Sequence, residues 1–417
     1  MRGFLQRAIA PLAFAAVLLG ARAEAQAPSA GLVARGRYVA IASDCMPCHT
    51  AVGGKPYAGG LILNTAFGRL ATPNITPDKA TGIGTWTEAQ FYRAMHKGVG
   101  PGHRLIFPVM PFPSYTRLPR TDVDALRAYL MSRPAVHAPR LPVTLNFPFN
   151  IRLMLRGWRL LYFRPRDFRD DPSQSAQWNR GAYLVEGPGH CGECHSPRNA
   201  LGGMVAGRSL AGGMVDGFLA SNISSDPRWG IGGWSQDALV DFLSHGSNAR
   251  GVVFGPMTDV VHASLGKLTA GDVKAIAFYL KHTPPRPNLP TDVLAAKAAQ
   301  ASVASGRVLY ASNCAPCHQA DGAGVTGAIP NLAGNDALRA DDPADAVMPM
   351  LAGLKGQGDY GAMPPFDALS DANIADIANY IRDAWSNAAP ANATPASVHA
   401  LRASASISAD GSTTAGR

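Results

Sequence analysis

The chain has 417 residues, a formal net charge of +9, 44 glycines, 33 prolines and six cysteines. A chain of this length holds about two to four domains, and its glycine and proline content predicts many loops. The positive charge would suit nucleic acid or anionic lipid, but no nucleic-acid-binding motif accompanies it, so we expect no nucleic-acid partner. Six cysteines are too few for a disulfide-stapled scaffold of this size.

The N-terminal segment has the pattern of an export signal. Arg2 and Arg7 supply a basic start, residues 8–19 are apolar apart from Pro11, and Ala23-Glu24-Ala25 forms a small-x-small cleavage site. We therefore predict that residues 1–25 are removed and that the mature protein is exported. A single uncleaved anchor is the alternative. No later stretch reaches the roughly 20 consecutive apolar residues that span a bilayer, so we expect no transmembrane helix.

All six cysteines fall in three copies of one motif, Cys-x-x-Cys-His. Two thiols at positions i and i+3 can bond covalently to the vinyl groups of one porphyrin, while the next residue, histidine, reaches the iron. A zinc site would need a second pair of ligands close by, and these motifs stand far apart in the chain. The motifs therefore predict three covalently bound haem c groups. The copies are Cys45-Met46-Pro47-Cys48-His49, Cys191-Gly192-Glu193-Cys194-His195 and Cys314-Ala315-Pro316-Cys317-His318.

A longer block occurs twice, once after each of the first two motifs. It comprises residues 71–76 with 82–87, and residues 220–225 with 230–235. Such a repeat indicates duplicated domains with equivalent loops. A segment of helical period follows each copy, after a Thr or Ser that can cap the helix. The third motif is followed by a different loop, residues 329–334, so the third domain is predicted to be a shorter relative.

Each predicted domain begins and ends with a helix. A glycine stands eight to ten residues before each first cysteine, and apolar residues at helical spacing lead to a tyrosine in the last helix. Glycine allows two helix backbones to approach closely, so we predict that the first and last helices cross there. The glycines are Gly36, Gly181 and Gly306, and the tyrosines are Tyr129, Tyr279 and Tyr380.

Composition places the boundaries between the predicted domains. The domains cover residues 26–140, 172–285 and 300–388, separated by a linker at 141–171 and a stiff, proline-rich linker at 286–299. Residues 389–417 contain few large apolar side chains, so we expect this tail to be disordered or to be ordered by a partner.

The ligand on the second face of each iron decides what the haem can do, because a methionine sulfur closes the iron and favours electron transfer. Met110 and Met257 lie 61 and 62 residues after their haem histidines, and Met363 lies 45 residues after the third. The spacing favours these three methionines. Histidine remains an alternative in the first two domains, at His96, His103, His245 or His262, whereas the third domain has no histidine besides His318.

Each haem histidine also needs an acceptor for its other ring N–H, which fixes the tautomer. In the third domain we predict that the backbone carbonyl of Pro330 accepts this hydrogen bond from His318.

The linker at 141–171 contains a basic amphipathic segment. Arg152, Arg156 and Arg159 fall on one stripe of a predicted helix, which Asn150 could cap. A second stripe is apolar and wider than one small helix usually buries, so it suits a partner subunit or the membrane interface. A linker helix that packs on its own domains is the alternative. The apolar stripe consists of Ile151, Leu155, Trp158 and Tyr162.

Three features together resemble one family: the three haem motifs, the duplicated Pro73-Asn74-Ile75-Thr76 and Ser221-Asn222-Ile223-Ser224 loops, and Asn146-Phe147-Pro148-Phe149-Asn150 with the helix that follows. The chain resembles the three-haem cytochrome c subunit of bacterial membrane-bound dehydrogenases for alcohols, gluconate, sorbitol or fructose. This resemblance implies an all-α fold of three tandem cytochrome c-like domains with long loops. It also implies attachment and ligation by Cys45, Cys48, His49 and Met110, by Cys191, Cys194, His195 and Met257, and by Cys314, Cys317, His318 and Met363.

In that family the subunit takes electrons from a large catalytic partner that carries PQQ or FAD and passes them to ubiquinone at the periplasmic face of the cytoplasmic membrane. The resemblance therefore implies peripheral membrane association, no catalytic residue in this chain, and room for a small third subunit. Two other functions stay open from the residues alone. One is a free periplasmic electron carrier, and the other is a peroxidase-like haem enzyme with one open iron.

Overall fold

A computed structural model describes residues 28–287 and 296–413, with side chains for 28–287 and 300–405. The predicted export signal lies outside the described residues, as does the centre of the proline-rich linker. No helix within the described ranges is long and apolar enough to cross a bilayer.

The first region is helical with one small sheet. Thr87 begins α3 with a capping box, because its hydroxyl accepts from the Gln90 amide while the Gln90 side chain accepts from the Thr87 amide. β1 and β2 form an antiparallel hairpin, and β3 adds to the β2 edge at Gly68. The elements are α1 (Ala30–Ala42), α2 (Cys45–Cys48), β1 (Ile62–Thr65), β2 (Gly68–Ala71), α3 (Glu88–Lys97), α4 (Phe112–Tyr115), α5 (Arg120–Met131), β3 (Thr144–Leu145) and α6 (Arg152–Tyr162).

The second region repeats this order with the hairpin β4–β5 in place of β1–β2. Ser235 caps α8 as Thr87 caps α3. The elements are α7 (Ala176–Glu186), β4 (Gly213–Val215), β5 (Phe218–Ala220), α8 (Gln236–His245), β6 (Ser247–Asn248), β7 (Gly251–Val252), α9 (Pro256–Asp259) and α10 (Ala270–Lys281). The short antiparallel strands in both regions depart from a purely helical fold. They belong to loops, where tight turns join β1 to β2, β4 to β5 and β6 to β7.

The third region is built from helices: α11 (Ala296–Asn313), α12 (Ala315–His318), α13 (Ala344–Ala352), α14 (Asp371–Asp383) and α15 (Pro395–Thr413). The last of these differs from the expectation of a disordered tail. Val398 is fully buried and Ala393 and Ala405 lie in the same core, so α15 packs on α13 and α14. Its small side chains allow close packing, which a search for large apolar residues does not detect.

The predicted helix crossings are confirmed. A Cβ atom on Gly36 would lie 1.9 Å from the backbone oxygen of Ala125, so α1 crosses α5 at backbone contact. The same approach joins α7 to α10 at Gly181, at 2.1 Å from the Ala275 oxygen. It joins α11 to α14 at Gly306, at 1.9 Å from the Asp376 oxygen. Within the described residues the buried apolar side chains form three cores, each built around one of these helix pairs.

Helix α6 differs in detail from its prediction. It begins after Ile151, and no side chain caps it, so the predicted Asn150 cap is wrong: Asn150 lies one residue too early to reach the free amides. The predicted apolar stripe packs inward at Leu155, which is buried, and at Trp158, whose indole N–H donates to the Leu201 oxygen at 3.1 Å. A different apolar set faces outward: Leu153, Leu160 and Leu161 are 68%, 69% and 65% exposed.

Candidate haem sites

Each Cys-x-x-Cys-His motif forms one helical turn. The backbone amide of His49 donates to the carbonyl of Cys45 at 3.0 Å, and the equivalent bonds are 2.9 Å from His195 to Cys191 and 2.8 Å from His318 to Cys314. Residues at i, i+3 and i+4 of such a turn lie on one face. Both thiols and the imidazole of each motif are therefore presented together.

A backbone carbonyl oxygen lies within hydrogen-bonding distance of each motif histidine. The Nδ1 atom lies 2.8 Å from the Pro73 oxygen in His49, 2.6 Å from the Ser221 oxygen in His195 and 3.0 Å from the Pro330 oxygen in His318. The predicted contact between His318 and Pro330 is thus confirmed. A carbonyl can only accept, so Nδ1 carries the proton in all three rings and Nε2 keeps its lone pair for a metal.

The duplicated loop explains how the first two carbonyls are aimed. The Asn74 side-chain oxygen accepts from the amide and the hydroxyl of Thr76 at 2.9 and 2.7 Å. Asn222 makes the same two bonds to Ser224, also at 2.9 and 2.7 Å. These turns fix the backbone just after Pro73 and Ser221. The repeated Asn-Ile-Thr/Ser is the sequence signal for this role, although the repeat by itself indicated only duplication.

The thiols of the motifs are free of disulfide bonds among the described residues. Burial raises the pKa of the Cys48 thiol to about 12 and that of Cys314 to about 11, so both are protonated at neutral pH. Zinc binds thiolates, and no three His, Cys, Asp or Glu side chains in the described part of the chain group together as a metal site. Protonated thiols on one face of a turn fit thioether attachment to a porphyrin.

Burial also lowers the pKa of His49, His195 and His318, although the carbonyl contacts oppose this effect. Neutral imidazole is the form that ligates a metal. The histidines and thiols of all three motifs therefore fit a covalently bound haem.

The three candidate methionines each pack on the core that holds their own motif. Met110 lies against the core that contains Cys45. Met257 packs on the same core as Cys191, and Met363 on the same core as Cys314. Each is half-buried, as a ligand between core and haem would be.

The other methionines divide by burial. Met95, Met348 and Met350 are buried, as expected of core fillers. Met214 differs from these, since it is 51% exposed on the β4–β5 hairpin.

The alternative histidine ligands have other surroundings. His96 contacts the Asp167 carboxylate at 2.9 Å, His245 contacts Asp241 at 2.8 Å, and His262 contacts Gln357 at 3.3 Å. His103 is exposed in a left-handed turn with φ of 57°. These contacts favour methionine in the first two regions.

Comparison with known proteins identifies the family. The cytochrome c family model matches residues 33–134 and 303–385. The chain is 38% identical over 410 residues to the alcohol dehydrogenase (quinone) cytochrome c subunit of Gluconacetobacter polyoxogenes, covering 92% of this chain and 87% of the relative. It is 37% identical to the gluconate 2-dehydrogenase cytochrome c subunit of Pantoea cypripedii, covering 98% of this chain and 97% of the relative.

A third relative is much longer than this chain. A nicotinate dehydrogenase subunit of Pseudomonas putida is 42% identical over 380 residues, which are 87% of this chain but only 31% of the relative. This chain therefore spans about a third of that protein. Taken with the sites above, the similarities show that the chain is a haem c-binding electron-transport protein and belongs to the family of cytochrome c subunits of alcohol, gluconate and fructose dehydrogenases.

Proposed function

We propose that this chain carries three haem c groups and relays electrons from a large dehydrogenase subunit, which holds PQQ or FAD, to ubiquinone at the periplasmic face of the cytoplasmic membrane. The observation that carries the proposal is the threefold recurrence of one arrangement. In each region a Cys-x-x-Cys-His turn, a carbonyl-bonded histidine and a half-buried methionine share a single core.

The assignment follows this recurrence. The cysteine pairs attach the haems, Nε2 of each motif histidine binds one face of the iron, and Met110, Met257 and Met363 bind the other face. The three cytochrome c domains are residues 26–140, 172–285 and 300–388. When bound, each haem supplies a one-electron centre whose closed iron favours electron transfer over substrate binding. The chain's own side chains hold and orient these centres and need no catalytic group.

The outer face of α6 supports contact with a membrane surface. Leu153, Leu160 and Leu161 project into solvent beside Arg156. No Asp or Glu occurs between Asp124 and Asp167, so every formal charge in the segment that contains α6 is positive. Exposed leucines beside arginines are typical of helices that lie in the interface of an anionic membrane. We place this helix on the membrane, close to a lipid-soluble quinone.

The names of the relatives support a dehydrogenase partner, and they differ in substrate: alcohol, gluconate and nicotinate. The partner is therefore best identified directly. The native protein would be purified from detergent-solubilised membranes and its co-purifying subunits identified by mass spectrometry. We expect one large dehydrogenase subunit in stoichiometric amount. Recovery of the chain alone from the soluble periplasmic fraction would instead support a free carrier.

Carbon monoxide binding provides a second test, because it shows whether an iron has a free coordination position. If each iron is closed by methionine, the reduced protein should bind no carbon monoxide. Carbon monoxide binding at one haem of the native protein would favour the peroxidase-like alternative.

A further inference from the structure

The first helices of the first two regions carry the same short pattern. Arg35-Gly36-Arg37-Tyr38 lies in α1, and Arg180-Gly181-Ala182-Tyr183 lies in α7. Each arginine binds an aspartate in the last helix of its own region. Nε of Arg35 lies 2.6 Å from the Asp122 carboxylate, and Nε of Arg180 lies 2.8 Å from that of Asp272.

The tyrosines bind the opposite way, across the boundary between regions. The Tyr38 hydroxyl donates to Asp272, and the Tyr183 hydroxyl donates to Asp122. Each carboxylate thus receives an arginine from its own region and a tyrosine from the other. When the tyrosine of each copy contacts the aspartate of the other copy, the contacts have the reciprocal pattern of a two-fold interface.

Both aspartates are buried, which makes their hydrogen bonds important for stability. Asp122 and Asp272 are only 6% and 9% exposed, so both carboxylates have lost most of their water. A buried carboxylate oxygen without a hydrogen-bond donor destabilises the folded state, because it has lost its water and gained no partner. The Tyr183 hydroxyl is the donor to Oδ2 of Asp122, whereas Oδ2 of Asp272 accepts from the Tyr38 hydroxyl and also from Nη2 of Arg180 at 2.7 Å.

The third region lacks this set. The positions that correspond to Arg35, Tyr38 and Asp122 hold Ser305, Val308 and Asn373. Val308 is 65% exposed. The reciprocal contact therefore belongs to the first two regions, although α11 and α14 cross as their counterparts do.

The same boundary brings the first two haem motifs together. The Tyr115 hydroxyl donates to the Ser43 oxygen at 2.7 Å, two residues before Cys45. Its ring meets the ring of His190, which directly precedes Cys191, at 5.6 Å between centroids. Ser114 donates to Glu193, inside the second motif, at 2.9 Å. Any change in how the two regions meet would therefore move one motif relative to the other.

We propose that Tyr38 and Tyr183 are positioning residues that lock the first two regions into a pseudo-two-fold pair, and that this lock sets the distance and angle between their haems. The pair acts as one coupled two-haem module, with the third haem outside it. This inference rests on the haem assignment proposed above.

The test uses the full-length mature holoprotein and three variants, Tyr38→Phe, Tyr183→Phe and the double variant. Phenylalanine removes only the hydroxyl. The control is Tyr310→Phe, because the Tyr310 hydroxyl donates to the Gln319 backbone oxygen at 2.6 Å within the third region, and its loss breaks a tyrosine hydrogen bond that does not cross the boundary. The readout is the haem couplet in visible circular dichroism, which depends on the separation and angle of two neighbouring haems.

We expect the two single variants to lose similar shares of the couplet amplitude, the double variant to lose at least half, and the control to retain it. Equal amplitudes in all variants, loss in only one of the single variants, or a native protein without a couplet would overturn the inference. If the double variant does not fold, the comparison of the two single variants decides.

Haem content and absorption spectra separate this inference from the proposed function. An unchanged couplet in variants that carry three methionine-ligated haems would overturn the two-fold lock alone. A native protein with fewer than three haems would overturn the haem assignment itself.

Discussion

Arg402 in the last helix donates from Nε to the carboxylate of Asp371, 2.9 Å away at the start of α14. The same guanidinium donates to the backbone oxygens of Asp367 and Leu369 at 2.7 and 2.9 Å. These bonds fix the segment that joins Met363 to α14. The end of the chain therefore supports the loop that carries a proposed haem ligand.

Replacement of this arginine should loosen the third haem site. In Arg402→Gln we expect the loop to be less stable, since its bonds to a charged donor are lost. The methionine–iron absorption band of the ferric protein should then weaken by up to a third of its native intensity. The solvent-exposed Arg307→Gln on α11 serves as the control. An unchanged band in Arg402→Gln would contradict a supporting role for α15.

The helix crossing in the third region should not accept a side chain. A Cβ on Gly306 would lie 1.9 Å from the Asp376 oxygen, so in Gly306→Ala we expect α11 and α14 to separate at a cost of about 1–3 kcal/mol or more. Gly157 is the matched control, because its Cβ would meet nothing within 4 Å. Gly157→Ala should stabilise the exposed helix α6 by up to about 1 kcal/mol. Thermal unfolding of both variants checks the pair, and equal melting temperatures would contradict the crossing.

The sequence predicts a structural feature well when the residues that cause the feature lie close together in the chain. The Cys-x-x-Cys-His turns and the His318 contact with Pro330 follow from fixed spacings within short segments. The glycine crossings join distant helices, but each glycine stands at a recognisable position before its motif. The repeat that contains Asn74 and Asn222 is visible in the sequence. Its role, which is to orient the carbonyls that accept from His49 and His195, is visible only in the structure.

Other features depend on contacts between distant segments. Nothing near Tyr38 indicates that its hydroxyl reaches Asp272, which lies in another region. Burial of Val398 requires the groove between α13 and α14, and the packed face of α6 depends on where the loop at Leu201 lies. Composition and periodicity describe one segment at a time, so they predicted a disordered tail and left open whether the Leu155 and Trp158 stripe of α6 faces a partner or packs on the chain itself.

Stability of the third region should fall as the pH rises. Asp345 is 4% exposed and accepts from the Leu219 amide at 2.8 Å, and burial raises the pKa of its carboxyl to about 7. The folded state therefore keeps a proton that the unfolded state releases above its ordinary pKa of about 4. The stabilisation is complete below about pH 4 and is lost towards about pH 7, by at most about 4 kcal/mol.

Denaturant unfolding at a series of pH values checks this dependence. Asp345→Asn keeps an oxygen acceptor for the Leu219 amide and should flatten the decline between about pH 4 and about pH 7. Asp359→Asn, at an exposed position of the same region, should leave the decline as it is. Parallel profiles for the native protein and Asp345→Asn would show that Asp345 does not cause the effect.

The outward leucines of α6 should govern binding to lipid. Leu160 and Leu161 are 69% and 65% exposed, and replacing both with serine removes apolar surface without disturbing the packed face. We expect the double variant to bind anionic vesicles at least tenfold more weakly, since each buried leucine contributes about 1.5–3 kcal/mol. Co-sedimentation measures the binding. Val308→Ser, at a site that is 65% exposed, is the control and should bind like the native protein.

Salt separates the two contributions to this binding. The arginine contribution should weaken as ionic strength rises, because charges near a surface are screened over about 8 Å at physiological salt. Equal binding by the leucine double variant and the native protein at every salt concentration would assign membrane contact to another surface.

The intact mass of the mature, exported protein tests the central claim most directly. Our account predicts the polypeptide from residue 26 onward plus three covalently attached haems, none of which is removed by acid and organic solvent. A mass equal to the bare polypeptide, to a chain with zinc, or to a chain with fewer haems would contradict it.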